Sequence, residues 1–276
     1  MIRTVPITVE TFDEVAGPAL DREPVLNQVL LGVIAQYRKE PARYVAGVRL
    51  LAMRDDATGE TGLAMQTPPY KALVSHVSES LAVALGREFT AQHRDARAVF
   101  GNVRAAQGFS RGAGAVEART RTRDGVFELR VVSDLPPVAG CARVATPEDG
   151  PLLQEWLEAF NAEALPAGWP KDPNAGARMG ASGSAWIWLD ERGTPVSMAS
   201  NPRRVTGWWG IAYVFTPVPH RGHGYASGVV AHASRLALSS GARGCTLFTD
   251  LTNPVSNRIY ERIGYRRVGE FTSLEW

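Results

Sequence analysis

The chain of 276 residues has few of the features that mark a disulfide-rich, nucleic-acid-binding or membrane protein. Its two cysteines, Cys141 and Cys245, give neither a disulfide framework nor a zinc-site spacing. Thirty basic and 28 acidic residues leave a net charge of +2, which excludes wholesale binding to nucleic acid or membrane. The longest apolar run, 29–35, is far shorter than the roughly 20 residues that span a bilayer. Without a signal-peptide pattern, we expect a cytoplasmic protein.

What the chain does contain is an ordinary globular composition, with 45 % hydrophobic and 21 % charged residues. At roughly 100–200 residues per domain, its length suits one large domain or two smaller ones. All seven tryptophans lie beyond residue 150, and Pro136-Pro137 interrupts the chain near its midpoint. We therefore predict two domains, residues 1–137 and residues 138–276.

The two halves show the same order of predicted elements: helix, hairpin, strand, helix. In the first half these are a helix over 21–38, strands over 44–53, 61–65 and 70–77, and a helix over 79–86. In the second half they begin with a helix over 148–163, which Thr146 and Pro147 introduce, and strands over 185–189 and 196–199. This order predicts an ancient duplication.

A strand, a glycine-rich loop and a helix follow one another in the second half. The strand is predicted over 208–215, the loop holds Arg221, Gly222 and Gly224, and the helix covers 226–238. Unsatisfied N–H groups at a helix start attract anions, and glycines let the backbone approach a phosphate closely. The loop is neither a Walker A loop nor a dinucleotide fingerprint. Taken alone it leaves two interpretations open, a phosphate loop or a ligand-free turn.

A second pattern lies further along the chain. A strand is predicted over 245–250, and a helix begins after Asn253 and ends at Gly264. Tyr260 falls seven residues after Asn253. Its phenol is a chemically sensible proton donor, and the alternative is a ring that packs the helix on a sheet.

Together these patterns resemble the GNAT superfamily of N-acetyltransferases over residues 144–271. Arg221-x-x-Gly224-x-Ala226 is similar to the acyl-CoA pyrophosphate loop, and 253–265 to the last helix and its following strand. The resemblance implies tandem GNAT-like domains, each a twisted mixed sheet flanked by helices. In the second, strands 208–215 and 245–249 would splay apart around the pantetheine arm. The first half resembles the degenerate half of two-domain bacterial members, since 75–79 has neither arginine nor glycine.

The resemblance also implies the site and the reaction. Tyr260 would be the acid that protonates the departing thiolate. The residues implied to bind acetyl-CoA are Val214, Phe215, Arg221, Gly222, His223, Gly224, Tyr225, Ala226, Asn253 and Asn257. The implied function is N-acetylation of a small-molecule or peptide amine by direct attack. Two alternatives stay open: a non-catalytic acyl-CoA-binding or regulatory module, and another acyl-CoA reaction on the same fold.

Several further residues have two interpretations. His220 and His223 lack a third ligand, so we expect no metal. The predicted strand 208–215 has no carboxylate to act as a base, which leaves Glu155, Glu158 and Glu163 as water-relayed candidates or solvated helix residues. The tryptophans suit either an acceptor pocket or a packed core. The segment 111–115 has the letters of a phosphate loop without a preceding strand, and we predict a plain loop there.

Overall fold

The computed structural model describes residues 1–165 and 170–276 and divides into two compact units. The first consists of Met1–Val126 with Asp250–Thr252 and Val268–Trp276. The second consists of Phe127–Thr249 with Asn253–Arg267. The last residues of the chain thus belong to the first unit. The division into 1–137 and 138–276 stays a prediction, because the contacts do not follow a single cut.

The first unit is a mixed sheet with helices. Its elements are β1 (Ile2–Val5), α1 (Phe12–Val15), α2 (Gly17–Leu20), α3 (Gln28–Lys39), β2 (Arg49–Asp55), β3 (Thr61–Gln66), β4 (Ala72–Val74), α4 (Glu79–Gln92), β5 (Ala98–Asn102), α5 (Val103–Gly112), the start of β6 (Arg119–Leu129) and nearly all of β12 (Arg266–Glu275). The strand order is β1-β2-β3-β4-β5-β12-β6. Strands β4 and β5 are parallel, whereas β1 to β4 pair antiparallel, as do β5 and β12.

Close packing of α4 on α5 explains the segment at Arg111. A Cβ on Gly112 would lie 2.0 Å from the carbonyl oxygen of Val83, so only glycine allows this approach. Arg111 and Gly112 form the last turn of α5, and Arg111 pairs with Glu79. The predicted plain loop is therefore wrong for these two residues, because their contacts with α4 extend the helix.

The second unit has the same architecture. Its further elements are β7 (Cys141–Val144), α6 (Gly150–Ala164), α7 (Ala175–Ser182), β8 (Ala185–Leu189), β9 (Pro195–Val205), β10 (Trp208–Phe215), α8 (Tyr225–Ser239), β11 (Gly244–Asp250) and α9 (Pro254–Ile263). The strand order is β11-β10-β9-β8-β7, with β10 and β11 parallel and the other pairs antiparallel. The predicted tandem α/β fold, with a mixed sheet in each unit, is confirmed.

Before α6, a single 3-10 turn (Pro147–Asp149) carries a capping box between Thr146 and Asp149. Arg143 also forms a two-bonded ion pair with Asp149, at 2.6 and 2.7 Å. This hydrogen bonding lowers the pKa of the Asp149 carboxyl to about 2. The predicted capping signal at Thr146 therefore marks a real helix start.

Two apolar clusters lie within the second unit. One contains residues of α8 and α9, and the other contains residues of α6. Trp156, Trp186 and Trp188 are buried in these clusters, and Trp208 is buried as well, which supports the packed-core interpretation for all four. Trp169 lies outside the described residues. Within 1–165 and 170–276, no helix is both long and apolar enough to cross a membrane.

Candidate functional site

Strands β10 and β11 part after a short parallel pairing. Their register pairs Trp208 with Gly244 and ends at Gly210 with Thr246, although both strands continue for several residues. Beyond Gly210 the register between β10 and β9 shifts twice, and Tyr213 has a φ of +50°. Such a bulge turns backbone groups out of the ladder. We call the gap between β10 and β11 beyond Gly210 and Thr246 the fork. On its β10 side, backbone groups are thus available to a ligand.

The loop after β10 forms a cradle of backbone N–H groups, residues 222–227. Gly222 and Gly224 have φ values of +83° and +81°, which disfavour other residue types. Gly224 is the N-cap of α8, and no side chain caps this helix. Within the described part of the chain, the backbone N–H groups of 222–227 have no hydrogen-bond partner. Consecutive free amides at a helix start form an anion-binding site.

Arg221 borders the cradle, but its side chain is engaged elsewhere. Its Nε donates to the carbonyl oxygen of Thr216 at 2.9 Å, and one terminal nitrogen donates to both carboxylate oxygens of Glu163, at 2.9 and 2.8 Å. Both side chains are about half exposed, at 45 % and 50 %. An exposed pair of this kind contributes little stability, so an arriving anion can compete for Arg221.

The other predicted loop residues flank the cradle. The ring of His223 stacks on Tyr225 with centroids 5.4 Å apart, and Ala226 lies in the first turn of α8. Val214 and Phe215 end β10 on the side of the fork. The Phe215 carbonyl oxygen accepts a bond from Ser197 Oγ at 3.0 Å.

The two predicted asparagines belong to the start of α9. Asn253 is its N-cap, and its Oδ1 accepts from the amides of Val255 and Ser256 at 3.2 and 3.1 Å. That oxygen therefore caps the helix. Asn257 lies in the first turn, where its amide donates to the Asn253 carbonyl oxygen. A role for either residue in binding acetyl-CoA stays a prediction.

Tyr260 lies on the buried face of α9. Only 8 % of the residue is exposed, and its ring meets Tyr265 edge-on with centroids 6.0 Å apart. Tyr265 Oη is paired with Ser234 Oγ at 2.9 Å, whereas no partner is present for Tyr260 Oη among the described residues. Burial raises the pKa of Tyr260 to about 12, so the phenol stays protonated at neutral pH.

The candidate bases separate into two kinds. Glu155 and Glu158 lie on the exposed face of α6, and Glu163 is held by Arg221. No group of three His, Cys, Asp or Glu residues suited to a metal occurs in the described ranges.

Residues 151–265 match the protein-family model described as "Acetyltransferase (GNAT) family". These residues are a GNAT acetyltransferase domain. The match contains the fork, the cradle and Tyr260, so the GNAT resemblance is confirmed. It supports acyl transfer as the general activity of this GNAT domain. No curated protein matches the sequence.

Solved structures similar to the whole chain share its fold at low identity. A GCN5-related N-acetyltransferase from Sphaerobacter thermophilus has a TM-score of 0.64 and 16 % identity over 100 % of this chain and 95 % of its own. A tandem GNAT protein from the clavulanic acid biosynthesis pathway has a TM-score of 0.54 and 13 % identity over 99 % and 98 %. A putative acetyltransferase from Pyrococcus horikoshii has a TM-score of 0.55 and 12 % identity over 100 % of this chain and 88 % of its own. These likenesses show the tandem GNAT fold.

Arg203 on β9 was not among the predicted site residues. A pair of adjacent arginines, Arg203 and Arg204, inside a strand of the GNAT domain is the signal that was available in the sequence.

Proposed function

We propose that this protein transfers an acetyl group from acetyl-CoA to the amine of a small molecule or peptide. The observation that carries the proposal is the cradle at 222–227, which follows the forked strand of a GNAT domain. Consecutive free amides and the start of α8 suit a pyrophosphate, and the fork suits an extended thioester arm. Val214 and Phe215 border that arm, and Arg221, His223 and Tyr225 flank the phosphates.

The reaction is a direct attack. The neutral amine forms a bond to the acetyl carbon, the carbon–sulfur bond breaks, and the sulfur leaves as a thiolate. Backbone amides of the β10 bulge polarise the carbonyl oxygen as charge develops on it. The amine releases one proton to solvent, so the overall reaction balances with the thiolate or thiol of CoA.

Tyr260 acts on the leaving sulfur. A phenol with a pKa of about 12 is a weaker acid than a thiol, whose ordinary pKa is about 8.5. It therefore stabilises the thiolate by donating a hydrogen bond, and a proton that the sulfur finally gains comes from solvent. The packing interpretation of the ring remains compatible with this role, because only the hydroxyl acts.

The test is turnover of acetyl-CoA with a panel of amines, followed by release of free thiol. Thiol release that depends on the amine, with formation of the acetylated product, supports the proposal. Tight acetyl-CoA binding without turnover on any amine would favour a second candidate, a non-catalytic acyl-CoA-binding module. The absence of a carboxylate on β10 favours that candidate, because a general base is expected there.

A further inference from the structure

Arg203 is a cation without a counterion among the residues that the structure describes. It lies half-buried on β9, and its Nε is shielded from solvent with no hydrogen-bond partner within 1–165 and 170–276. Among the residues that the structure describes, no carboxylate forms an ion pair with it. Its neighbour Arg204 differs, because that guanidinium lies 3.9 Å from the centroid of the Trp209 ring, a favourable cation–π geometry.

Shielding a charge from water is costly unless an opposite charge compensates it. Burial accordingly lowers the pKa of the Arg203 guanidinium from its ordinary value. Arginine cannot relieve this cost by losing its proton near neutral pH. An arriving anion can relieve it, and the planar guanidinium binds carboxylate or phosphate through paired hydrogen bonds.

The position of Arg203 relates it to the fork. Arg203 is in register with Gly210 of β10, and Gly210 is the last residue that pairs with β11. Tyr213, at the bulge of β10, is close enough to act electrostatically on the guanidinium. Arg203 therefore lies beside the segment of β10 at which the acetyl carbonyl would be polarised.

A second shielded polar atom belongs to α6, one residue after an aromatic ring that contacts Tyr213. Phe160 of α6 meets the Tyr213 ring edge-on with centroids 5.7 Å apart. The next residue, Asn161, has a shielded Oδ1 with no partner among the described residues. An amide oxygen of this kind accepts a hydrogen bond from an amine.

We propose that the acceptor amine carries an anionic group, a carboxylate or a phosphate, which the Arg203 guanidinium binds. The proposal rests on the proposed function, because it names the substrate class of that acetyltransferase. Arg203 is then a specificity-determining residue rather than a residue that takes part in bond making.

The test compares matched acceptors with and without an anionic group. β-Alanine is compared with its carboxamide, further amino acids with theirs, and phosphoethanolamine with ethanolamine, by kcat/KM at saturating acetyl-CoA. The wild-type protein prefers the anionic member of at least one pair by roughly ten- to a hundred-fold, as expected for a charge-assisted contact. The carboxylate and phosphate pairs distinguish the two sources of the anion.

Two variants and a matched control complete the design. Arg203→Gln abolishes the preference, Arg203→Lys retains part of it, and Arg204→Gln keeps it, because Arg204 is engaged with Trp209. Acetyl-CoA affinity stays unchanged in all three. A thermal melt shows whether each variant is folded. If Arg203→Gln does not fold, the loss of preference is measured with Arg203→Lys instead.

The outcomes separate this proposal from the proposed function. If neutral and anionic amines are acetylated equally, the Arg203 assignment is overturned while the acetyltransferase stands. If no amine is acetylated, the acetyltransferase fails, and calorimetry with the anionic members on the acetyl-CoA-saturated protein decides the anion site. Binding that Arg203→Gln weakens supports the site, and binding that is absent or equal in both proteins overturns it.

Discussion

The two units contain equivalent strand–loop–helix segments, but they differ in whether the N–H groups at the helix start are free to bind an anion. In the second unit, β10 leads through two left-handed glycines into an uncapped α8. In the first unit, β4 leads into α4, and the corresponding N-cap, Ser78, has φ −58° and ψ 153°. Its amide donates to Glu60 Oε1 at 2.8 Å, and its hydroxyl donates to the other oxygen of that carboxylate.

A second amide of the first segment is also occupied. The N–H of His76 donates to Asn27 Oδ1 at 2.9 Å. The first unit therefore fills this helix start with its own carboxylate and amide oxygens, where the second unit leaves N–H groups free. A shared topology therefore provides the helix start in both units. Glycine backbone conformations and nearby side chains decide whether a ligand can bind to its N–H groups.

The largest effect on ligand binding is expected when the cradle of the second unit is filled as the first helix start is filled. Gly224→Glu adds a side chain and a negative charge where phosphate is proposed to lie, at a left-handed φ. We expect acetyl-CoA affinity to fall by about a hundred-fold or more, since several charge-assisted contacts of ~1.5–3 kcal/mol each are lost. Isothermal calorimetry measures the change.

Gly193→Glu is the matched control for that variant. Gly193 has a φ of +79° and open space around its Cβ position, but it lies in the turn between β8 and β9. It should bind acetyl-CoA as the wild type does. Undiminished affinity in folded Gly224→Glu would contradict the cradle assignment.

A second variant tests the chemistry that only the second unit is proposed to have. Tyr260→Phe keeps the buried ring and removes the hydroxyl, so we expect kcat and kcat/KM to fall together by about ten- to a hundred-fold. Acetyl-CoA affinity should stay the same. Where the chemical step is shown to limit the rate, unchanged turnover would make Tyr260 a packing residue.

The pH dependence sharpens the same point. Burial raises the pKa of Tyr260 to about 12, above the ordinary phenol value of about 10. The protonated, active form therefore persists as pH rises through 10. We therefore expect the wild-type kcat to show no fall with a midpoint near pH 10 that is missing from Tyr260→Phe. Such a fall would mean that the phenol is solvated.

A smaller effect is expected from the ion pair beside the cradle. Glu163→Gln releases Arg221 for phosphate, and acetyl-CoA should bind roughly two- to fivefold more tightly, because an exposed pair contributes only about 0.2–1 kcal/mol. Glu158→Gln, on the same helix but not paired with Arg221, is the control. Weaker binding in Glu163→Gln would show that the pair holds the loop in its binding conformation.

The smallest effect on ligand binding is expected from the first unit. Glu60→Gln removes the carboxylate from Ser78 and should lower stability by roughly 1–2 kcal/mol, while acetyl-CoA still binds once per chain. The first loop lacks the left-handed glycines of the cradle, so freeing its amides does not create a site. A second equivalent site in calorimetry would refute this view of the first unit.

The sequence predicted the elements whose signals are local. The strands over 185–189 and 208–215 coincide with β8 and β10, because aromatic and branched runs ended at turn residues. The helix predicted over 21–38 begins only at Gln28, since Pro24 interrupts its first turns. The strand predicted over 44–53 begins at Arg49, after a left-handed turn at Gly47.

The site was predicted in outline and missed in its pairings. Glycine spacing indicated the cradle because backbone conformation is a local property. The partner of Arg221 lies 58 residues away, and the carboxylate that fills the first loop lies 18 residues from Ser78. The shielding of Arg203 likewise depends on neighbours that only the folded chain brings together. Such contacts leave no spacing pattern in a single sequence.

The placement of β12 in the first unit has a consequence for biosynthesis. Residues 271–275 pair with β5, and Leu274 is buried in the apolar cluster of the first unit. The ribosome makes the body of that unit first, yet releases its final strand only after the whole GNAT domain has been translated. Through that interval β5 is paired only with β4, and its other edge stays open to incorrect pairing. Of the two units, the one without the cradle begins to be translated earlier and is completed later.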